Sequence, residues 1–198
     1  MTGLGEQIAA LARLSVEDPR AGVRSLLAQG VPLPARTLGL VLIAVASALL
    51  LHLSFLLLPP PEDPLAGFMI QSPVRTAIVQ WLFLAATVLL IFWVGRAFGG
   101  RGNLPDTLLV VVWLQVIMIA VQLAQLVALV ISPPLAGLIN IAGFFLFFWL
   151  FASFVAELHG FQSRWAVFGG ILATGFGVAL LIAVAMVIIL GPEAFVSV

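Results

Sequence analysis

Long apolar runs alternate with short polar breaks along most of this chain. After a polar head of 36 residues come five runs, over residues 37–58, 74–94, 107–131, 135–156 and 166–190. About 20 apolar residues suffice for a helix to cross the hydrocarbon core of a bilayer. Backbone polar groups in hydrocarbon must be satisfied within their own segment, so each run is predicted to be helical. The pattern predicts an all-α polytopic integral membrane protein, a five-transmembrane-helix bundle.

The breaks predict how the spans connect. "SPP" at 132–134 forbids a continuous helix through the third and fourth spans, and "PPPEDP" at 59–64 ends the first. The following "LAGFMIQS" is apolar and is predicted to lie along the membrane surface. Residues 191–198 are predicted to form a short external tail. Because the connections are short, consecutive spans are expected to be antiparallel neighbours.

The head, residues 1–36, contains an amphipathic pattern. In "SVEDPRAGVRSLLAQG", Asp18 is a predicted N-cap, Pro19 the first helical residue and Gly30 the stop signal. The helix would have an apolar face (Val23, Leu26, Leu27 and Gly30) and a basic one (Arg20 and Arg24). Such a helix either lies in the membrane interface with its arginines at the headgroups, or packs on the cytoplasmic end of the bundle. The pattern alone leaves both interpretations open.

Composition excludes a soluble domain, and charge placement predicts orientation. The chain is 63% hydrophobic and 8% charged with a mean hydropathy of +1.27, whereas soluble domains are about 25% charged. Seven arginines lie on one side of the spans (Arg13, Arg20, Arg24, Arg36, Arg96, Arg101 and Arg164), and only Arg75 lies on the other. By the positive-inside rule the N-terminus is cytoplasmic and the C-terminus external. A cleaved secretory signal is not expected ahead of so late a first span. The use of arginine without lysine is typical of a high-GC bacterium, which predicts the bacterial inner membrane.

The glycine-rich stretch "GRAFGGRGNLPD" at 95–106 invites comparison with a phosphate-binding loop. A P-loop needs a lysine, and the chain has none; a dinucleotide fingerprint needs a preceding strand, whereas these glycines follow a membrane helix. The stretch is therefore interpreted as a tight turn. Gly99, Gly100 and Gly102 are expected to take positive φ, and Asn103 or Asp106 to cap the third span. Neither a nucleotide nor a nucleic acid is expected as a partner.

Two loop motifs carry a resemblance to a known family. Together with the five spans and the amphipathic head, "FGGRGNLPDTL" after the second span and "AELHGFQSRWAV" after the fourth resemble the Yip domain family, over roughly residues 15–190. Family members are membrane proteins named for interacting with Ypt/Rab GTPases. Many relatives carry a proline in the third span, but "VVVWLQVIMIAV" has none here. In a bacterial member a Rab partner has no obvious counterpart.

The resemblance implies a cytoplasmic interaction face built from both loops. It contains a glycine pair with a basic residue (Gly99, Gly100 and Arg101) and a histidine-glycine turn with a basic residue (His159, Gly160 and Arg164). Arg96 and Glu157 complete the candidate face. Since both loops crowd into a small area, Glu157 is expected to form an ion pair with Arg96, Arg101 or Arg164.

Few polar residues lie inside the spans. His52 is ionisable, but no Asp, Glu, Arg or Lys lies deep in a span to act with it, so a hydrogen-bonded structural role is favoured over a proton relay. Gln115, Gln122 and Gln125 share one face of the third span, and Asn140 lies in the fourth. These amides are predicted to form interhelical hydrogen bonds; the alternative is a polar transport path.

Small residues mark a second candidate packing feature. Gly169, Ala173 and Gly177 form a small-xxx-small stripe in the fifth span, which lets another backbone approach closely. The stripe fits either an internal contact or a dimer face.

Signatures of catalysis are missing from the sequence. There is no cysteine, and Glu157 with His159 forms only E-x-H, which is neither HExxH nor a set of three metal ligands. No catalytic, cofactor or metal site is predicted. We expect a non-catalytic membrane organiser that contacts the bilayer and binds other membrane proteins or itself. The alternative is a small transporter or lipid-handling protein that uses the glutamine face.

Overall fold

The computed structural model describes residues 3–57, 67 and 71–190, and this part of the chain contains seven helices and no strand. The helices are α1 (Leu4–Glu17), α2 (Pro19–Ala28), α3 (Leu33–Phe55), α4 (Pro73–Ala97), α5 (Leu104–Ile131), α6 (Pro133–His159) and α7 (Arg164–Leu190). The end of the first predicted span, most of the predicted surface loop and the predicted external tail lie outside the described residues. The all-α prediction is confirmed.

Helices α3 to α7 are the five predicted spans, each long and apolar enough to cross a membrane. Most of these helices begin two to four residues before the apolar run, because the prolines and polar residues just ahead of the run form the first helical turn. Pro occupies the first turn of α3, α4, α5 and α6, where its missing N–H costs no helical hydrogen bond. Ser132 alone separates α5 from α6, as "SPP" predicted.

Helix α5 is the centre of the bundle. It packs against α3, α4 and α6, and also touches α2. Most of the buried apolar side chains, among them Val88, Leu150 and Phe154, lie in the halves of their helices that face the head. The bundle is therefore tightest at the end that carries most of the arginines.

Helix α7 is attached differently from the other spans. Its principal contacts are with α6, and no residue in its most apolar 18-residue window is buried by protein. In a bilayer such a helix is stabilised by hydrocarbon on most of its surface. A gap remains between α7 and α4.

The head forms two helices, of which only the second was predicted. Helix α2 has the expected signals: Asp18 accepts a hydrogen bond from the Ala21 N–H at 3.0 Å, and Gly30 takes a positive φ of 62° after the last turn. Val23 and Leu26 are buried against the bundle. The helix thus packs on the bundle, which decides between the two interpretations of its apolar face.

Helix α1, which the sequence analysis missed, is fastened to α5 through one buried polar contact. The indole N–H of Trp113 donates to Ser15 Oγ at 2.9 Å, and that hydroxyl donates to the Leu11 carbonyl at 2.8 Å. Gly22 permits this arrangement, because an added Cβ would lie 2.7 Å from the Cα of Ser15. The signal in the sequence for this contact is Gly22 in α2, but a single glycine does not indicate which segment packs against it.

Candidate functional site at the arginine-rich end of the bundle

We call arginine-rich end the face formed by α1, α2, the α4–α5 loop (98–103) and the α6–α7 loop (160–163). Helix α2 is bound there by an ion pair: Arg24 Nη1 lies 3.0 Å from Glu157 Oε1. The expectation that Glu157 would pair with Arg96, Arg101 or Arg164 is wrong. The head packs over the end of α6, and this places the Arg24 guanidinium, rather than any of these three arginines, beside the Glu157 carboxylate.

A second arginine joins the head to the α6–α7 loop. Arg20 Nη2 donates to the carbonyl oxygens of Phe161 at 3.0 Å and Gln162 at 2.8 Å. Both acceptors are backbone carbonyls of the α6–α7 loop, outside the helical hydrogen-bond pattern. Arg20 and Arg24 form the basic face that the sequence predicted. Both bind groups of the protein itself, namely loop carbonyls and the Glu157 carboxylate.

A third arginine ties the start of α3 to the start of α5. Arg36 Nη1 lies 2.7 Å from Asp106 Oδ1, and its Nε donates to the Val31 carbonyl at 2.7 Å. The Arg36 side chain is only 10% exposed. Asn103 caps α5 as predicted, accepting from the Asp106 N–H at 2.8 Å and donating to the Asp106 carboxylate at 2.7 Å.

The two loop motifs meet at His159. Its imidazole is 2% exposed and lies against Gly95, Gly100 and Gly102, none of which has room for a side chain. A Cβ on Gly100 would lie 2.6 Å from the Gly95 carbonyl oxygen and 2.7 Å from the Cβ of His159; one on Gly102 would lie 2.8 Å from His159 Cε1. The glycines of the first motif therefore form a cradle for the histidine of the second.

Backbone hydrogen bonds complete this junction. The Arg101 N–H donates to the His159 carbonyl at 3.1 Å, and the Gly102 N–H donates to His159 Nδ1 at 3.3 Å. The backbone of Ile91 approaches the ring, but no hydrogen bond of good geometry reaches the buried Nε2 within the described residues. The second and fourth spans are thereby joined through their loops.

The turn glycines have two separate roles. Only Gly99 (φ 81°) in the first loop and Gly160 (φ 74°) in the second take positive φ. The expectation of positive φ at Gly100 and Gly102 is wrong, because these two are required by close packing on His159.

Three arginines of the candidate face remain unpaired by carboxylates. All five acidic residues described at this end are engaged: Glu6 with the Gly3 N–H, Glu17 with Arg13, Asp18 with Ala21, Asp106 with Arg36 and Glu157 with Arg24. Arg96, Arg101 and Arg164 are exposed and have no carboxylate partner in the described chain. Arg164 instead lies 4.2 Å above the ring of Trp149. The face carries uncompensated positive charge.

The intramembrane amides do not join helices. Gln115 and Gln125 are partly buried, and Gln122 and Asn140 are exposed. None of the four makes a hydrogen bond to another residue described in the structure. The predicted interhelical hydrogen bonds are therefore not formed. Of these four amides, Gln115 lines the gap between α7 and α4.

The small-residue stripe makes no internal contact. An added Cβ on Gly169 or Gly177 would meet nothing within 4 Å in the described chain, and Ala173 is exposed. The internal-contact interpretation is wrong. A contact between copies remains a hypothesis.

His52 hydrogen-bonds within its own helix: Nδ1 lies 2.8 Å from the Ala48 carbonyl. We expect His52→Gln to leave function intact and to lower stability modestly; loss of the hydrogen bond to Ala48 accounts for about 1 kcal/mol of this, the net worth of an ordinary hydrogen bond. Melting in detergent and a functional assay on the same sample check this. Loss of function without a change in melting would restore the proton-relay hypothesis.

The comparisons with known proteins identify the family. The family model of the Yip1 domain matches residues 15–186, which include α2, the first four spans, most of α7 and both loops of the His159 junction. No curated protein and no solved structure matches the chain. A match over most of the sequence, on a bundle of five apolar helices, shows that this chain belongs to the Yip1 domain family.

Proposed function

We propose that this membrane protein is a non-catalytic organiser, which binds other membrane proteins through its arginine-rich end. The observation that carries the proposal is the unpaired charge of Arg96 and Arg101 on a face whose own carboxylates are all engaged. A surface of this kind attracts acidic partners and steers their approach.

The charge distribution of the whole chain supports the same face. The arginine-rich side has seven arginines against five carboxylates, and the other side has one arginine against three carboxylates. A chain that is formally neutral is thus polarised along the membrane normal. The junctions at His159 and Arg36 make the positive side a rigid platform, so a partner would not have to order it on binding.

Cross-linking and pull-down from native membranes test this proposal. The double variant Arg96→Gln/Arg101→Gln is expected to lose a stoichiometric protein partner that the unaltered chain retains. The control Arg13→Gln/Arg75→Gln removes the same number of charges but leaves Arg96 and Arg101 in place: Arg13 is paired with Glu17, and Arg75 lies at the other end of the bundle. This control is expected to keep the partner. Equal capture by both variants contradicts the docking face. Liposome flux by the purified protein alone would support the transporter instead.

We also propose that the arginine-rich end is cytoplasmic, in a bacterial inner membrane. The seven-to-one arginine asymmetry supports this through the positive-inside rule. Alkaline phosphatase fused after Val198 is expected to be active, and the same enzyme fused after Arg101 inactive. The reverse pattern would invert the topology and put the docking face outside the cell.

A further inference from the structure

An elongated groove of about 780 Å³ separates α7 from α4. Its lining extends along α4 from Phe83 to Gly95 and on to Phe98 of the α4–α5 loop, and along α7 from Ala166 to Ile182. Residues of α5 and α6 form its floor. At 1.5 Å per residue it is about 24 Å long, most of the thickness of a bilayer core.

The lining is predominantly apolar. Gly170 and Gly175 leave space on the α7 side, and an added Cβ at either would meet nothing within 4 Å. Among the polar groups, Thr87 already donates its hydroxyl to the Phe83 carbonyl of its own helix at 2.8 Å. In a membrane such a groove is filled by hydrocarbon, since water has few partners there.

The backbone at one end of the groove is bonded to a cation that lies outside the lining itself. Phe161, Gln162 and Ser163 line the end nearest the head, and Arg20 Nη2 is bonded to the backbone oxygens of the first two. The N–H groups on Nε and Nη1 of Arg20 have no acceptor in the described chain. A guanidinium held at Nη2 keeps its positive charge, and each remaining N–H can donate a single charge-assisted hydrogen bond to a phosphate oxygen.

We propose that the groove binds an acyl chain of one anionic phospholipid, whose phosphate is held by Arg20. The chain lies along α4 and α7, and the headgroup reaches the α6–α7 loop at the arginine-rich end. The groove would thus bind the tail at the depth of the hydrocarbon core, and Arg20 would bind the headgroup at the membrane surface.

The volume of the groove is that of a small-molecule site. Sites for small molecules have volumes of about 300–1,000 Å³. The groove lies within that range.

This inference goes beyond the proposed function, and its test uses different residues. Purified protein in mixed micelles of phosphatidylglycerol and phosphatidylcholine is analysed by native mass spectrometry for retained lipid. The unaltered chain is expected to retain about one phosphatidylglycerol in preference to phosphatidylcholine. Gly170→Phe, which fills the groove, is expected to abolish retention. Gly169→Phe adds the same side chain one position away, outside the lining, and is expected to retain the lipid.

Arg20 is tested separately. Arg20→Gln is expected to weaken retention of phosphatidylglycerol about fivefold, the worth of one arginine near an anionic lipid. Arg13→Gln is the control, since Arg13 is paired with Glu17 on the exposed side of α1.

Several results would overturn the proposal. Equal retention by Gly170→Phe and Gly169→Phe would mean that the groove is not the site. Equal retention of phosphatidylglycerol and phosphatidylcholine would mean that the site does not select an anionic headgroup. A dimer that Gly170→Phe alone dissociates would assign the groove to a second copy of the chain. Because Arg96 and Arg101 are unchanged throughout, failure here leaves the docking proposal standing.

Discussion

Gly100→Ala is expected to destabilise the bundle by about 3 kcal/mol, the upper part of the range for overpacking. The added Cβ would collide with the Gly95 carbonyl oxygen at 2.6 Å as well as with His159, and backbone cannot move aside as the end of a side chain can. Chemical or thermal unfolding in detergent, followed by circular dichroism, measures the loss. Detachment of the α4–α5 loop is expected to reduce partner capture in parallel.

Glycine-to-alanine changes at two other positions serve as controls, because they add the same methyl group without a steric collision. Gly137→Ala lies on an exposed part of α6 with nothing within 4 Å, and is expected to be neutral or to stabilise by about 0.5–1 kcal/mol. Gly99→Ala has open space but a φ of 81°, so it is expected to cost about 1–2 kcal/mol from backbone strain alone.

His159→Ala supplies a further check on the cradle. The three atoms nearest to a Cβ on Gly95 all belong to the imidazole, so His159→Ala is expected to relieve Gly95→Ala, whereas Gly100→Ala still meets the Gly95 carbonyl. Additive effects for Gly95 and His159 would show that the ring does not lie in the cradle.

Asp106→Asn is expected to be the second most damaging change, at about 2 kcal/mol. Breaking a fully buried ion pair costs about 3–5 kcal/mol; here Asp106 is 30% exposed and the amide oxygen can still accept a hydrogen bond. The cost arises because the nearly buried guanidinium of Arg36 keeps its charge and loses its counter-ion. Arg36→Met is expected to cost less, since the carboxylate left behind is more exposed and still bonds to Asn103.

The Arg24–Glu157 pair is the matched control, because the Arg24 side chain is 59% exposed. Its double-mutant cycle is expected to give a coupling of about 0–1 kcal/mol, and the Arg36–Asp106 cycle clearly more. The cycle also removes the effect of Asp106 on the dipole at the start of α5. Equal couplings would mean that burial of Arg36 contributes nothing.

The architecture in this protein was predictable from local pattern. Hydrocarbon requires each apolar run to satisfy its own backbone, so run length alone yields five helices, and the proline at 133 marks a turn regardless of neighbours. The Asp18 and Asn103 caps were predictable for the same reason, since a cap acts within three residues. The loop motifs around Gly99 and His159 sufficed to indicate the family, because they are contiguous stretches.

Contacts between distant segments were decided by the tertiary structure alone. Glu157 had three predicted partners within the loops and met Arg24, 133 positions earlier, because the head folds over the end of α6. Gly100 and Gly102 were assigned to backbone conformation, whereas their missing side chains make room for His159. Gln115, expected to bridge helices, faces a groove that exists only because α7 packs on one neighbour. A sequence shows which groups are charged, small or polar, but which of them come into contact depends on how the helices pack. That packing is hard to predict here, because spans that are apolar on every side have almost no hydrophobic periodicity to indicate which face is buried.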